Sequence, residues 1–248
     1  MKPVVHILAN VIDETAVEMS TLVFKTIRVG FPTSEVVVWG SGLDHDAVRE
    51  AALAADCTLN SNGVTITHDQ FIASRLADEH RQRIVFCDTD MVFYESVEDW
   101  KFDQPLAGMF EPKHRNPVTR AIHLPRLHTC MLWVTVSELY DALEAWRETL
   151  HPGPFMPLFT PLRQQWLPIG RELHFADTCA MAYNAIGGQH FTAQQLNAFA
   201  HLQCGTWSTY VEPHIPGLRE SHRMAIDRPE LFRGNWKTHK EWYERHQP

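Results

Sequence analysis

The sequence predicts an α/β fold with a mostly parallel central sheet, flanking helices and a second half of mixed strand order. Strand and helix patterns alternate through residues 1–90, which is typical of βαβ units. The mostly apolar segment at Arg83–Cys87 has the composition of a strand that is buried in a parallel sheet. These two observations place the centre of the fold in the first half of the chain.

In the first half, helices are predicted between the strands. The helix that follows the polar turn at residues 10–14 ends at Gly30 and Pro32. No glycine-rich phosphate loop follows the first strand, which argues against a standard dinucleotide or ATP site. The other predicted elements are strands at Val4–Ala9, Glu35–Trp39 and Val64–Thr67, and helices from Asp44 to about Ala55 and from Asp69 to Asp78.

The second half has a less regular pattern, and with the first half it forms one predicted domain, residues 1–248. Five prolines between residues 152 and 170 predict a loop without regular structure. The other predictions are strands at Leu106–Phe110, Thr129–Val134 and Phe199–Gln203, a long polar loop at 111–127, and helices from about Ser137, from Asp177 to Gly187 and at Trp236–Arg245.

Composition limits the kind of protein this can be. The 248 residues carry a net charge of −8, which argues against general coating of nucleic acid but leaves room for a local basic site. The five cysteines are scattered, so we interpret them as reduced thiols in a cytoplasmic protein. No segment approaches the ~20 apolar residues that a membrane-spanning helix needs.

Two carboxylates follow the apolar strand directly. Asp88 and Asp90 stand two positions apart, so in an extended segment their side chains point the same way. Ligands of open α/β sheets bind just outside the carboxyl ends of the strands. The pair is therefore predicted to bind a hard divalent cation, whose coordination a nucleotide diphosphate would complete.

Four segments in chain order resemble a known family: Arg75-Leu76, Phe86–Val92, His128–Val134 and Phe175–Asn184. They are similar to the metal-dependent nucleotide-sugar glycosyltransferases of the GT-A fold, a Rossmann-like architecture, and within them to the glycogenin and lipopolysaccharide galactosyltransferase group. His128 and Cys130 stand where that group usually has Asn and Gly, and Cys179 replaces an Asp. The resemblance implies a nucleotide-sugar-binding half at residues 1–95 and an acceptor-side half at 96–248.

The resemblance also implies a reaction and its metal. A hexosyltransferase-like enzyme would move a sugar from a nucleotide-diphosphate sugar, foremost a UDP-sugar, to an acceptor hydroxyl with Mn²⁺ or Mg²⁺. Asp88 and Asp90 would hold the metal. A late histidine is the usual third ligand, and His201 is the first choice here, with His214 second.

Further roles follow from the same resemblance. Asn10, Trp39, Arg75 and Asp88 would contact the nucleotide sugar, although Trp39 also has the character of a core residue. Asp177 would bind donor or acceptor hydroxyls, or act as the base if the enzyme inverts the anomeric carbon. The resemblance favours retention.

The stretch from Pro112 to Ser137 contains no acidic residue, which is unusual in a chain of negative net charge. We interpret Arg115, Arg120, Arg126 and His128 as candidates for binding an anionic acceptor, such as a phosphorylated glycan, a lipid head group or nucleic acid (for example a hydroxylated DNA base). A solvated loop whose charge offsets nearby acids is the alternative.

Two other classes of function remain open. Asp88-Thr89-Asp90-Met91-Val92 also fits the motif of haloacid-dehalogenase-like phosphatases, in which Asp88 would be the nucleophile and Asp90 the acid/base. That motif normally follows the first strand, and no later acidic pair completes its magnesium site. A non-catalytic protein that binds sugar nucleotides or glycans on the same fold is the other alternative.

Overall fold

The structure is a computed structural model that describes residues 2–10, 14–60, 67–78, 83–115, 120–149, 162–169 and 172–201. Its first half confirms the predicted alternation of strands and helices. The elements are β1 (Val4–Leu8), α1 (Glu14–Gly30), β2 (Glu35–Trp39), a 3₁₀ turn (Ser41–Asp44), α2 (Asp46–Ala54), β3 (Thr58–Asn60), α3 (His68–Asp78) and β4 (Arg83–Cys87). The strand β3 was not predicted, and residues 64–66 of the strand predicted at Val64–Thr67 lie outside the described residues.

The second half has more strands than the sequence predicts. The elements are β5 (Met91–Phe93), β6 (Leu106–Glu111), β7 (His114–Arg115), β8 (Ile122–His123), β9 (Arg126–Thr135), α4 (Val136–Thr149), β10 (Gln165–Ile169), β11 (Glu172–Ala176), α5 (Ala180–Ile186), β12 (Gln189–His190), α6 (Ala193–Leu196) and β13 (Phe199–His201). The terminal helix predicted at Trp236–Arg245 and the end of the strand predicted at Phe199–Gln203 lie outside the described residues.

Two loop predictions were wrong. The polar loop predicted at 111–127 contains β7, β8 and the start of β9, strands too short or too polar to show a period of two. The proline-rich loop predicted at 152–170 was wrong at Gln165–Ile169, which form β10, and residues 152–161 and 170 lie outside the described residues. Pro168 is tolerated there because β10 is the edge strand of a four-stranded sheet, ordered β10-β11-β8-β7, and an edge strand does not need every backbone N–H for pairing.

The central sheet has seven strands in the order β12-β6-β9-β4-β1-β2-β3. Pairing is parallel from β3 through β2 and β1 to β4, and again between β6 and β12. Within this sheet β9 runs against its neighbours β4 and β6. The predicted α/β class, a mostly parallel sheet with a mixed second half, is confirmed.

Strand β4 is buried, as its composition predicts, and it is covered on both faces. Val85 and Cys87 belong to one apolar layer with α1, whereas Ile84 and Phe86 belong to the other with α3 and α4. Full burial of one such side chain contributes about 1.5–3 kcal/mol. The residues that follow Cys87 are therefore held at a fixed place on the edge of the sheet.

A two-stranded sheet brings the end of the described chain back to this place. β13 pairs antiparallel with β5, and the register sets His201 opposite Met91, next to the acidic motif. Of the described helices, none is both long and apolar enough to cross a membrane.

Candidate functional site

The carboxyl ends of β2, β1 and β4 lie side by side. Trp39 is level with Leu8, and Ile7 is level with Cys87, so Trp39, Asn10 and Asp88 stand at one edge of the sheet. This is the edge at which open α/β folds bind their ligands. The structure thus assembles, from three strands, the side chains that the sequence placed at strand ends.

Asp88, Asp90 and His201 converge at this edge. One ligand atom from each lies within 4.8 Å of the other two. Nε2 of His201 lies 2.9 Å from Oδ2 of Asp90. Oδ1 of Asp90 is buried and has no hydrogen-bond partner among the described residues, which is unusual for a carboxylate oxygen.

The charges of this cluster act strongly on one another. Burial and the neighbouring Asp90 raise the pKa of Asp88, although His68, His201 and Arg126 act in the opposite direction. Burial by itself would lower the pKa of His201, but the charge and hydrogen bond of Asp90, together with Asp88, raise that pKa above its ordinary value. Two carboxylates so close to each other create a site in which a cation is favoured.

These residues fit a divalent cation. The donor set consists of two carboxylates and one imidazole, all of which are established ligands of divalent metals. A bound cation would give Oδ1 of Asp90 a partner and would offset the repulsion between the two carboxylates. The metal set predicted from the sequence is therefore brought together, and His214, the second choice, lies outside the described residues.

His68 is a site residue that sequence reasoning missed. It is the first residue of α3, and its Nε2 lies 3.1 Å from Oδ1 of Asp88. Its other ring nitrogen, Nδ1, lies 3.3 Å from the hydroxyl of Thr129 on β9. His68 thus links Asp88 to β9, a contact between distant segments that leaves no mark in the local sequence pattern.

His128 lies behind the metal set. Its side chain is buried, and its ring centroid is 5.5 Å from that of His201. Nδ1 of His128 accepts a hydrogen bond from the backbone N–H of Cys130. Burial and the charge of Arg126 hold the pKa of His128 well below its usual range, so the ring is neutral. His128 was predicted to bind the acceptor, and the structure shows that its Nδ1 is already hydrogen-bonded to the backbone of β9.

Trp39 and Arg75 contact each other at the far side of this edge. The guanidinium of Arg75 lies 4.2 Å from the Trp39 ring centroid and 2.6 Å from a carboxylate oxygen of Asp78. The indole N–H of Trp39 donates to Nδ1 of His6. Burial lowers the pKa of His6 to about 4, which keeps this acceptor neutral. His6 is a second residue that the sequence did not reveal.

Gly40 allows the close approach of β2 to Asn10. Its φ of +105° and its position, where a Cβ would lie 2.7 Å from the Ala9 carbonyl oxygen and 3.0 Å from Oδ1 of Asn10, both require glycine. Asn10 is therefore held between the ends of β2 and β4.

Asp177 is held differently from the prediction. It was expected at the start of a helix, but α5 begins at Ala180 and is preceded by Cys179 in the left-handed conformation. Oδ1 of Asp177 accepts from the backbone N–H of Thr178 and from Nε2 of Gln164. Three residues of loop at 177–179 separate β11 from α5, so the carboxylate caps its own turn and not the helix.

Arg126 joins Asp177 to the central sheet. Its side chain is buried, with Nε 2.7 Å from Oε2 of Glu111 and Nη2 3.0 Å from Oδ2 of Asp177. Arg126 is close enough to the metal set to act on the pKa values of Asp88 and His128. Asp177 is therefore tied to the central sheet through Arg126 and Glu111.

The remaining basic candidates lie on or next to the four-stranded sheet, Arg115 in β7 and Arg120 just before β8. Arg115 is half exposed, with Nη2 2.6 Å from Oε1 of Glu172, and its Nη1 donates to the carbonyl of Arg120. Arg120 is exposed and has a φ of +61°. Carboxylates from other segments thus offset the charge of Arg115 and of Arg126, so the loop is less positive than its sequence suggests.

No protein-family model and no curated protein matches the chain. Similar solved structures include a mannosyltransferase from Pyrobaculum calidifontis in complex with GDP-Man and Mn²⁺ (14% identity, 62% of this chain and 48% of that one, TM-score 0.37) and the galactosyltransferase LgtC with donor and acceptor sugar analogs (9%, 77% and 74%, 0.39). A 4-diphosphocytidyl-2C-methyl-D-erythritol synthase from Anaerococcus prevotii is also similar (11%, 62% and 80%, 0.38).

These similarities concern the fold alone. The matched part spans about half of the mannosyltransferase. The predicted likeness to glycosyltransferases is found at the level of the fold. The synthase, which is not named as a glycosyltransferase, has a TM-score in the same range. The function of the chain therefore has to be argued from its own residues.

Proposed function

We propose that the chain is a divalent-metal-dependent glycosyltransferase that moves a sugar from a nucleotide-diphosphate sugar to an acceptor hydroxyl. The observation that supports it most is the convergence of Asp88, Asp90 and His201 at the carboxyl edge of the central sheet. Asp88 and Asp90 lie between β4 and β5, and His201 is the last residue of β13, so the ligands come from segments that are far apart in the sequence. A polar loop without a function would not need a buried, unpartnered carboxylate oxygen such as Oδ1 of Asp90.

The metal would be Mn²⁺ or Mg²⁺, held by Asp88, Asp90 and His201. When bound, it would coordinate the diphosphate oxygens and neutralise the charge that develops on the departing nucleoside diphosphate. Asp88 keeps 26% of its side chain exposed, so it can also meet the donor. The hydrogen bond from Nε2 of His68 would fix the orientation of that carboxylate.

The donor would lie along the edge from Asp88 to Trp39. Trp39 would flank the base, and Arg75, now over the Trp39 ring, would donate charge-assisted hydrogen bonds to the diphosphate. Asn10, which lies between Trp39 and Asp88, would offer its amide to the ribose or diphosphate. A UDP-sugar is the donor we propose to test first.

On the acceptor side, Asp177 would accept hydrogen bonds from sugar hydroxyls. Its ion pair with Arg126 holds the carboxylate in place, which suits binding of hydroxyls. Retention at the anomeric carbon is consistent with such a role. An anionic acceptor would meet Lys113, Arg115 and Arg120, which are exposed, whereas Arg126 and His128 are buried and would act through other groups.

A screen of UDP-, GDP-, ADP- and CDP-sugars for slow donor hydrolysis, with and without Mn²⁺, tests this proposal. We expect hydrolysis that requires metal and that falls at least about 100-fold in Asp90→Asn, because even outer partners of metal ligands affect activity about 10–100-fold. Asp141→Asn, on the exposed face of α4, is the matched control and should behave as wild type.

The same screen separates the alternatives. Metal-dependent thermal stabilisation by UDP or GDP without hydrolysis of any donor would contradict the transferase and indicate a binding protein. Release of phosphate from small phosphomonoesters that depends on Asp88 would instead indicate a phosphatase. Donor hydrolysis that is equal in Asp90→Asn and wild type would contradict the role of the acidic motif.

A further inference from the structure

A second cluster of metal-ligating side chains lies where the end of β6, in the central sheet, meets β7 and β8 of the four-stranded sheet. Glu111, His114 and His123 each offer one ligand atom, and the three atoms lie within 4.8 Å of one another. We propose that this cluster is a zinc site that connects the four-stranded sheet to the central sheet. It is separate from the acidic motif and does not rest on the proposed transfer reaction.

The backbone brings these three side chains together. β7 and β8 are antiparallel, and the register sets His114 directly opposite His123, so both imidazoles stand on the same face. Their ring centroids are 4.6 Å apart. Glu111 is the last residue of β6, three positions before His114, and its Oε1 lies 3.7 Å from Nδ1 of His114. Two strands and one short connection therefore fix all three groups.

The cluster is sheltered from water. The side chain of Glu111 is 4% exposed and that of His114 is 14% exposed. His123 packs edge-on against Phe175, with ring centroids 5.1 Å apart, and Trp166 covers Phe175 from β10. An apolar wall of this kind limits solvent access and strengthens the bonds of a metal to its ligands.

The contacts around the cluster show which atoms face one another. Nδ1 of His114 lies 3.7 Å from Oε1 of Glu111 and 3.2 Å from the carbonyl oxygen of Pro112, so this nitrogen is the atom of His114 that faces the Glu111 carboxylate. Arg126 occupies Oε2 of Glu111, which leaves Oε1 on the side of the histidines. Because Arg126 also pairs with Asp177, one guanidinium faces two carboxylates, and a cation would balance the excess negative charge.

The ligand types select the metal. Two imidazoles and one carboxylate form a set that Zn²⁺ accepts in tetrahedral geometry with one further ligand such as water. Mg²⁺ prefers oxygen ligands in octahedral geometry, so this set does not suit it. Glu111 belongs to the central sheet, whereas His114 and His123 belong to the four-stranded sheet. The ion would therefore hold these two sheets together beside Asp177.

Zinc titration of chelator-treated full-length protein, in competition with a chromophoric chelator, is the first test. We expect His114→Gln and His123→Gln each to remove one bound ion or to weaken it at least about 10-fold. His45→Gln, an exposed histidine at the start of α2, is the matched control and should leave zinc binding unchanged. Circular dichroism of the metal-free variants shows whether the fold is retained.

His123→Cys gives a second measurement that does not depend on loss of binding. A thiolate is a good ligand, so this variant should retain the ion, and its Co²⁺ form should gain the near-ultraviolet absorption of a cobalt–thiolate bond. Absence of that band, or zinc binding that is the same in His114→Gln, His123→Gln and wild type, would overturn the proposal. A cobalt–thiolate band that is present in His123→Cys and absent in wild type would establish residue 123 as a ligand.

Discussion

Nε2 of His201 lies 2.9 Å from Oδ2 of Asp90, although the two residues are 111 positions apart in the sequence. The antiparallel pairing of β13 with β5 creates this contact, because it sets His201 opposite Met91. A histidine that is 5% exposed and paired with a carboxylate is already in the position of a metal ligand. Among the described histidines, His68 also contacts the acidic motif, through Asp88, but its side chain is 29% exposed, so burial together with the contact distinguishes His201 from His68.

His201→Gln tests whether this histidine is a metal ligand. The substitution removes an imidazole ligand, so we expect the Mn²⁺ concentration for half-maximal binding to rise at least about 10-fold. Binding is measured by electron paramagnetic resonance of free Mn²⁺. His214→Gln changes the alternative candidate and should leave the curve unchanged. If the two variants weaken binding equally, His201 is not the specific ligand.

His68→Ala is expected to affect the donor through Asp88. Without the 3.1 Å contact from Nε2 of His68, the exposed part of the Asp88 carboxylate loses its fixed orientation. Loss of one hydrogen bond to a charged group costs about 1.5–3 kcal/mol, so we expect the KM for the donor to rise by about 10-fold or more. Steady-state kinetics of donor hydrolysis measures this.

His68→Gln is the matched variant, because its amide can still donate to Asp88. It should recover part of the donor affinity. A fall in kcat with unchanged KM in His68→Ala would contradict a role in orienting Asp88 for donor binding.

The acidic motif could be predicted from sequence because its signal is local. A buried strand and two carboxylates at i and i+2 are both visible within a few residues, and the structure confirms that strand. His68 and His6 could not be predicted, because their roles arise from contacts between α3 and β9 and between β1 and β2. Such contacts depend on the tertiary fold and have no period in the sequence.

The surroundings of the predicted acceptor-binding residues were harder to predict from the sequence, for a related reason. Arg126 belongs to a stretch without acidic residues, which suggested a positive surface, but Glu111 and Asp177 reach it from other segments. Charge counted along the chain does not show which carboxylates fold against it. The same limit applies to β10, where proline content indicated a loop but the edge position of the strand allows Pro168.

Arg126→Met is predicted to destabilise the fold. The guanidinium is buried between two carboxylates, and its removal leaves both without their cation. Breaking a buried ion pair in this way costs about 3–5 kcal/mol. Urea denaturation followed by circular dichroism measures the free energy of unfolding.

The double variant Arg126→Met with Glu111→Gln should recover part of that loss, because it removes one of the uncompensated charges. Arg115→Met is the matched control on the half-exposed pair with Glu172, for which we expect about 0–1 kcal/mol. Equal destabilisation by Arg126→Met and Arg115→Met would contradict the buried network.

Glu98 gives the fold a defined response to acid. Its side chain is 3% exposed and accepts hydrogen bonds from Lys2 and from the backbone and hydroxyl groups of Thr33 and Ser34. Burial by itself would raise the pKa of Glu98, but these donors lower it to about 2. A lowered pKa in the folded state stabilises the protein above the ordinary pKa of 4.5, and this stabilisation is lost as pH falls towards 2.

Glu98→Gln should therefore be less stable than wild type at pH 6 by about 1–3 kcal/mol, since the amide leaves buried donors poorly satisfied. The difference should narrow below pH 4.5 and close near pH 2, because wild-type Glu98 is then protonated as well. Urea denaturation across this range measures it, and Asp99→Asn, whose side chain is 79% exposed, is the control without such a trend. A difference that stays constant with pH would show that the ionised carboxylate of Glu98 does not stabilise the loop at Thr33 and Ser34.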